Sequence, residues 1–413
     1  MNDITDIRID GTRLRATLDE MARIGATVAG GCNRQALTDE DRRGRDLFVD
    51  WARAAHGVVR IDEIGNLYAR WPGRRDEAAP VLIGSHLDTQ ATGGRFDGVY
   101  GVLAGLEVLR TLADHRLVTD RPIELVSWTN EEGCRFAPAM LGSGVVAGVF
   151  DIDYALGRSD RDGRVFGEEL ARIGYRGRTP ARAIAYAAAF EAHIEQGPIL
   201  EASGSTIGVV TGIQGAYWLD VALTGQACHA GPTPMESRRD PWRAAAPIIE
   251  RAYELSAALA PWGRTTIGDV KIRPGSRNTV PDRLVLSFDL RHPDAAQLDA
   301  MVATFRAFVA ESAARARVDA VVDTVWHMPP TQFDPGLVAL VERSAAALGF
   351  RHERIVSGAG HDSLYVAKFA PTAMIFVPCR DGLSHNEAEY AKPEDLEAGA
   401  NVLLQTVWAA ARV

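Results

Sequence analysis

Residues 81–112 read VLIGSHLDTQATGGRFDGVYGVLAGLEVLRTL, and the succession of patterns inside them decides the fold class. Val81–Ser85 is an apolar run of strand length, and Gly98–Leu112 carries apolar residues at helical spacing. A loop rich in glycine (Gly93, Gly94, Gly98) joins them, and a second strand-length run, Ile123–Trp128, follows the helix. Strand, helix and strand in that order imply an α/β layer with at least partly parallel pairing. His86 and Asp88 then fall at the carboxyl end of a strand, where open α/β sheets build their sites. Residues two apart on a strand share a face, so the Asp88 carboxylate is expected to orient the His86 imidazole.

Working outward, Leu14, Leu18, Met21, Ile24 and Val28 predict a helix over 12–29. Thr38, followed by Asp39, Glu40 and Asp41, marks the start of another. Val58–Ile61 and Leu67–Trp71 read as further strands. The pattern changes near residue 214. Trp218–Thr224, Thr265–Ile272, Leu284–Leu290 and Val318–Val325 read as strands, with helices over Pro241–Leu259 and from Asp294 to Ala314. Four strands and two helices make a compact α+β module of about 115 residues. After Met328-Pro329-Pro330 the α/β rhythm resumes: a helix near Gly336–Leu348, the strand Ala373–Val377 and a last helix from Pro393. The organisation expected is a discontinuous α/β domain, residues 1–213 and 329–413, interrupted by an inserted domain, residues 214–328.

Composition narrows the function classes. The 413 residues carry 45 Lys plus Arg and 54 Asp plus Glu, a net charge of −9, with 46% apolar and 24% charged residues. That is the balance of a globular protein, not a disordered one. An acidic average argues against a nucleic-acid partner. No stretch reaches the ~20 apolar residues that span a bilayer, so no membrane partner is expected either. Cys32, Cys134, Cys228 and Cys379 form no CxxC pair, which leaves a disulfide framework or a cysteine zinc site without support. With no apolar leader in MNDITDIRID, the expectation is a reduced, cytoplasmic protein.

Four motifs carry chemistry. GSHLDTQATGGRFDGVYG (84–101) supplies His86, Asp88 and Asp97, and TNEEGCRF (129–136) supplies the adjacent Glu131 and Glu132 after a buried-looking strand. FEAHIEQGPIL (190–200) supplies His193 and Gln196, and GLSHNEAE (382–389) supplies His385. Neighbouring glutamates point in different directions, so one can bind metal while the other handles a proton. Three histidines and two carboxylates, each near the end of a different strand, suit zinc, or else manganese, nickel or cobalt, in a catalytic site.

The succession HLDTQ, GGRFDG, NEEG, HIEQG, CHAG, RPGSRNTVP, GAGHD and LSHNE resembles the dinuclear metallo-amidohydrolases of the M20 peptidase clan over essentially the whole chain. More narrowly, it resembles their hydantoinase/carbamoylase branch: N-carbamoyl-L-amino-acid hydrolases, β-ureidopropionases and allantoate amidohydrolases. The resemblance implies a three-layer catalytic domain with an inserted lid that pairs in a homodimer. It implies two divalent metal ions per subunit: one bound by His86 and His193, the other by Glu132 and His385, with Asp97 bridging. Glu131 would be the general base, with Asp88 behind His86. His229, in CHAG, would reach the active site of the facing subunit and stabilise the oxyanion. Asn278 and Arg291 would bind the carboxylate of a small anionic ureido substrate, and Gln196 its ureido group. Gly360 and His361 lie at a turn before a helix, where backbone N–H groups can meet an anion. The implied reaction splits an N-carbamoyl amino acid into amino acid, carbon dioxide and ammonia. A peptidase or N-acyl-amino-acid deacylase of the same clan is the alternative, as is allantoate hydrolysis.

Overall fold

The structure, a computed structural model, describes Ile4 and residues 6–412. The chain folds as two compact units: the described residues up to Thr211 together with those from Phe333 onward, and Gly212–Gln332.

The larger unit is built on a mixed sheet. Its strands run in the order Val58–Ile61, Leu67–Trp71, Ile123–Trp128, Val81–His86, Ala188–Ile194, Thr372–Val377 and Ile207–Ile213, with His352–Ser357 beside the last. The four central strands, from Ile123–Trp128 to Thr372–Val377, are mutually parallel. Every residue in these four is buried, which is why they read as apolar runs without alternation. The helix Val99–Asp114 packs on Val81–His86, and Pro393–Ala410 packs on both Thr372–Val377 and that helix. Thr38 caps the helix Asp39–Ala54 by accepting from the Asp41 N–H. The first helix is shorter than expected. It spans Gly11–Ala22, the chain turns at Gly25 (φ +84°), and Val28 stands exposed instead of packing. The strands Ile207–Ile213 and His352–Ser357 carry no strong pattern in the sequence, and the second is only half-buried.

The inserted unit is a four-stranded antiparallel sheet ordered Asp319–Met328, Gly215–Thr224, Arg283–His292, Arg264–Arg273. Leu219, Val221, Leu223, Leu284, Leu286, Phe288 and Leu290 form its inner face, against Ile248 and Phe305 of the helices Trp242–Ala258 and Ala295–Ala316. Its first and last strands are neighbours, with Ala216 opposite Met328, so the chain enters and leaves this unit side by side. That arrangement allows a domain to be inserted at low cost to its host. The α/β class with an inserted module of four strands and two helices is the fold the chain forms. All four cysteines are unpaired.

Candidate metal centre

Four motifs distant in sequence meet because they leave the same ends of adjacent parallel strands. His86 ends the strand Val81–His86, His193 is the penultimate residue of Ala188–Ile194, Glu131 and Glu132 follow Ile123–Trp128, and His385 follows Thr372–Val377. Asp97 arrives from the loop before the helix Val99–Asp114, where Gly98 adopts φ +66° against the His86 ring.

The donor atoms form two groups that share Asp97: His86, Asp97 and His193 in one, Asp97, Glu132 and His385 in the other, each within 4.8 Å. Asp97 Oδ1 lies 3.8 Å from His86 Nε2 and 3.1 Å from His193 Nε2. Its other oxygen, Oδ2, lies 3.3 Å from His385 Nε2, which is also 3.3 Å from Glu132 Oε2. Donors around a tetrahedral zinc at about 2.1 Å stand about 3.4 Å apart, so these separations suit a shared divalent cation. A carbonyl only accepts, so His86 Nδ1–H donates to the Asp88 carbonyl at 2.9 Å and His193 Nδ1–H to the Ile194 carbonyl at 2.8 Å. Each Nε2 lies on the side of Asp97, where that of His193 also accepts from the Gly98 N–H at 3.0 Å. The donor set therefore fits divalent metal. A third group, Glu191, His193 and His361, is closed by its own bonds: Glu191 accepts from Ser85 and Ser363, and His361 pairs with Ser357.

Asp88 differs from expectation. The strand ends at His86, so Asp88 holds that ring through its main-chain carbonyl, while its carboxylate stands 3.9 Å from Nδ1. The carboxylate instead accepts from the Glu131 N–H at 3.2 Å and the Glu132 N–H at 3.3 Å, fixing the glutamate pair. Glu131 Oε2 lies 3.5 Å from His86 Nε2, beside the donor groups.

Several supporting residues escaped the sequence reading. Gln90 donates to both oxygens of Glu132, from its main chain at 3.2 Å and its side chain at 2.7 Å. Ser384 and Glu389 support Asp97, and only their presence in the GLSHNEAE motif hinted at it. Gln196 sits at φ +58° because Glu195, just past the strand, accepts from the Ile199 and Leu200 N–H groups and turns the chain. The Gln196 amide nitrogen donates to Asp97 Oδ2 at 2.9 Å, and its Oε1 is buried without a partner. His361 is not displayed at a surface. It is 2% exposed and packs edge-on against His193 with centroids 4.5 Å apart, bracing that ring. Gly360, beside it, is exposed, and the helix that follows, Ser363–Val366, has only four residues.

The electrostatics also call for cations. Burial, then Asp362, Glu132, Asp88 and Asp97, push the Glu131 carboxyl well above its ordinary range, and burial followed by Asp97 does the same to Glu132. Burial raises Asp88 to about 7 and lowers His86 to about 4. Against the effect of burial, the His193 and His385 imidazoles hold Asp97 well below the usual carboxylate range. So many acids crowd together that they cannot all ionise without positive charge among them, and a divalent cation reverses that balance.

In the inserted unit, Cys228–His229 pairs with Thr279–Val280, and the Ala230 N–H donates to the Asn278 carbonyl at 2.9 Å, so His229 and Asn278 are neighbours. Arg291 lies on Arg283–His292, and its Nη2 is 2.7 Å from Asp289 Oδ2.

Fold, donor set and relatives together indicate a hydrolase that uses divalent metal to act on amide bonds. The description of peptidase family M20/M25/M40 matches residues 82–409, and the chain belongs to that family. It is similar to an N-carbamoyl-L-amino-acid amidohydrolase of Rhizobium meliloti, 48% identical over 98% of both chains. A Geobacillus stearothermophilus protein of the same designation is 39% identical over 97% of this chain and 98% of its own. Among solved structures, a hydantoinase/carbamoylase family amidase from Burkholderia multivorans superposes with a TM-score of 0.94 at 52% identity, covering 99% of this chain and 100% of that one. Among the described residues no helix is long and apolar enough to cross a membrane.

Proposed function

We propose that this chain hydrolyses N-carbamoyl amino acids, releasing the amino acid, carbon dioxide and ammonia, at a centre of two divalent cations. The observation that carries the reading is the division of Asp97, with Oδ1 toward His86 and His193 and Oδ2 toward His385. His86, Asp97 and His193 hold one cation, and Asp97, Glu132 and His385 the other; zinc is the first choice, with manganese, nickel or cobalt as alternatives. When bound, such cations polarise a carbonyl and acidify water, the activation that a weakly electrophilic ureido carbon needs. Glu131 takes a proton from the attacking water and passes it to the departing nitrogen. The bond from the ureido carbon to the amino-acid nitrogen breaks, and the carbamate left behind decomposes to carbon dioxide and ammonia. Asp88 keeps Glu131 and Glu132 in register through their main-chain N–H groups.

For recognition, the unpartnered Gln196 Oε1 is an acceptor for a ureido N–H. Arg291 and Asn278 are assigned to the substrate carboxylate and His229 to the oxyanion, with the exposed Gly360 as a further contact. The planar fork of Arg291 suits a carboxylate. The inserted unit is assigned to lid closure and to a homodimer. Exposed Val270, Ile272, Val321 and Val325 on its two edge strands support that pairing. The test is ammonia release by metal-reconstituted protein on N-carbamoyl-L-amino acids, N-carbamoyl-β-alanine, allantoate, N-acetyl amino acids and dipeptides. Turnover confined to the last two groups overturns the reading, and light scattering checks the dimer.

A further inference from the structure

We propose that Glu389 is a positioning residue that locks Asp97 and His385 into one geometry, an inference that rests on the metal-centre reading above. Glu389 is 4% exposed. Its Oε1 accepts from the Phe96 N–H at 2.9 Å and the Asp97 N–H at 3.1 Å. Its Oε2 lies 3.0 Å from Ser384 Oγ, and that hydroxyl is 2.8 Å from Asp97 Oδ2. One carboxylate therefore joins the main chain of the Asp97 loop to the residue preceding His385, across 287 positions of sequence.

The clip matters because the donors are unequally held. His86 and His193 side chains are 2% and 1% exposed, whereas that of His385 is 51% exposed, at φ +52°. With so little packed around it, His385 takes its position from its loop. That loop is closed by the Glu389 N–H donating to the Asn386 carbonyl at 3.0 Å, which turns the carboxylate back toward Phe96 and Asp97. Gly94 leaves no room for a side chain at the point where Glu389 passes. Partners that orient metal ligands set affinity.

A filler of loop space and a positioning group respond differently to substitution. Glutamine at 389 keeps an acceptor oxygen for both main-chain N–H groups. Its amide donates to Ser384 Oγ, freeing the single hydroxyl proton for Asp97. Alanine removes every link. Metal-free wild-type, Glu389→Ala, Glu389→Gln and Ser384→Ala proteins are titrated with Zn2+ by calorimetry, alongside thermal unfolding of each metal-free protein. Glu389→Ala is expected to bind Zn2+ about 10–100-fold more weakly at the position that includes His385. Glu389→Gln should match wild type, and Ser384→Ala should fall between. Because glutamine preserves the fold-supporting bonds, its comparison with wild type stands even if the alanine variant folds poorly. Wild-type affinity in Glu389→Ala, or affinity in Glu389→Gln as weak as in alanine, overturns the inference. Absence of Zn2+ binding by wild type overturns the metal-centre reading instead.

Discussion

Gly98→Ala is the most exacting test of the centre, since it changes no ligand. A Cβ built on Gly98 lies 2.2 Å from His86 Nε2 and 2.4 Å from its Cδ2. Ordinary contact is about 3.5–4.0 Å, so the ring must retreat by more than about 1 Å. Metal–ligand distances tolerate only about ±0.2 Å. His86 has little room to move, being 2% exposed and tied to the Asp88 carbonyl. Backbone strain adds to this, because φ at Gly98 is +66° and a side chain there costs about 1–3 kcal/mol. The expected result is at least ~100-fold weaker Zn2+ binding at the buried position, or about 2.7 kcal/mol. Calorimetric titration of the metal-free variant measures it. Gly349→Ala is the control: its φ is +76° with nothing within 4 Å of the added carbon, so it carries the backbone cost alone. It should lose stability and keep its metal. Wild-type affinity and stoichiometry in Gly98→Ala would refute the placement of His86 as a ligand.

Other outcomes follow from the same geometry. Glu131→Gln should lower kcat by roughly 10²–10⁴-fold while Zn2+ affinity is kept, and steady-state kinetics showing full turnover would remove Glu131 from the mechanism. Chelation should abolish ammonia release, with Zn2+ or Mn2+ restoring it. Because metal binds the folded chain, excess at 1,000 times Kd should add about 4 kcal/mol of stability, and a Tm that ignores metal contradicts this. Arg45→Met breaks the pair Arg45–Asp41, whose side chains are 2% and 0% exposed and 2.8 Å apart, and leaves Asp41 buried as a lone charge. The expected loss is about 3–5 kcal/mol in urea unfolding.

The donors were legible because each follows a buried apolar strand or a glycine loop, positions where a charged residue is costly unless it has work to do. Less legible were residues whose importance lies in what they hold. Gln90 and Glu389 are ordinary polar residues in the sequence, and only the folded chain brings them to Glu132 and to the Asp97 main chain. The role of Asp88 turned on a single residue of strand length: the strand stops at His86, so the carbonyl faces the imidazole and the carboxylate faces the next loop. The first helix was overread for a similar reason, since helical spacing persists through Ile24 and Val28 although Gly25 ends the helix.

The sequence by itself determined the α/β class, the inserted module and the chemical type of every proposed ligand, because hydrophobic periodicity and residue type are local properties. Tertiary structure decided how those donors are divided. That Asp97 turns Oδ1 toward one histidine pair and Oδ2 toward His385 depends on four parallel strands ending together and on the loops that leave them. Hydrogen-bond direction is set by where distant segments meet in space. The same cause makes Glu389, almost 300 residues from Asp97, part of the centre.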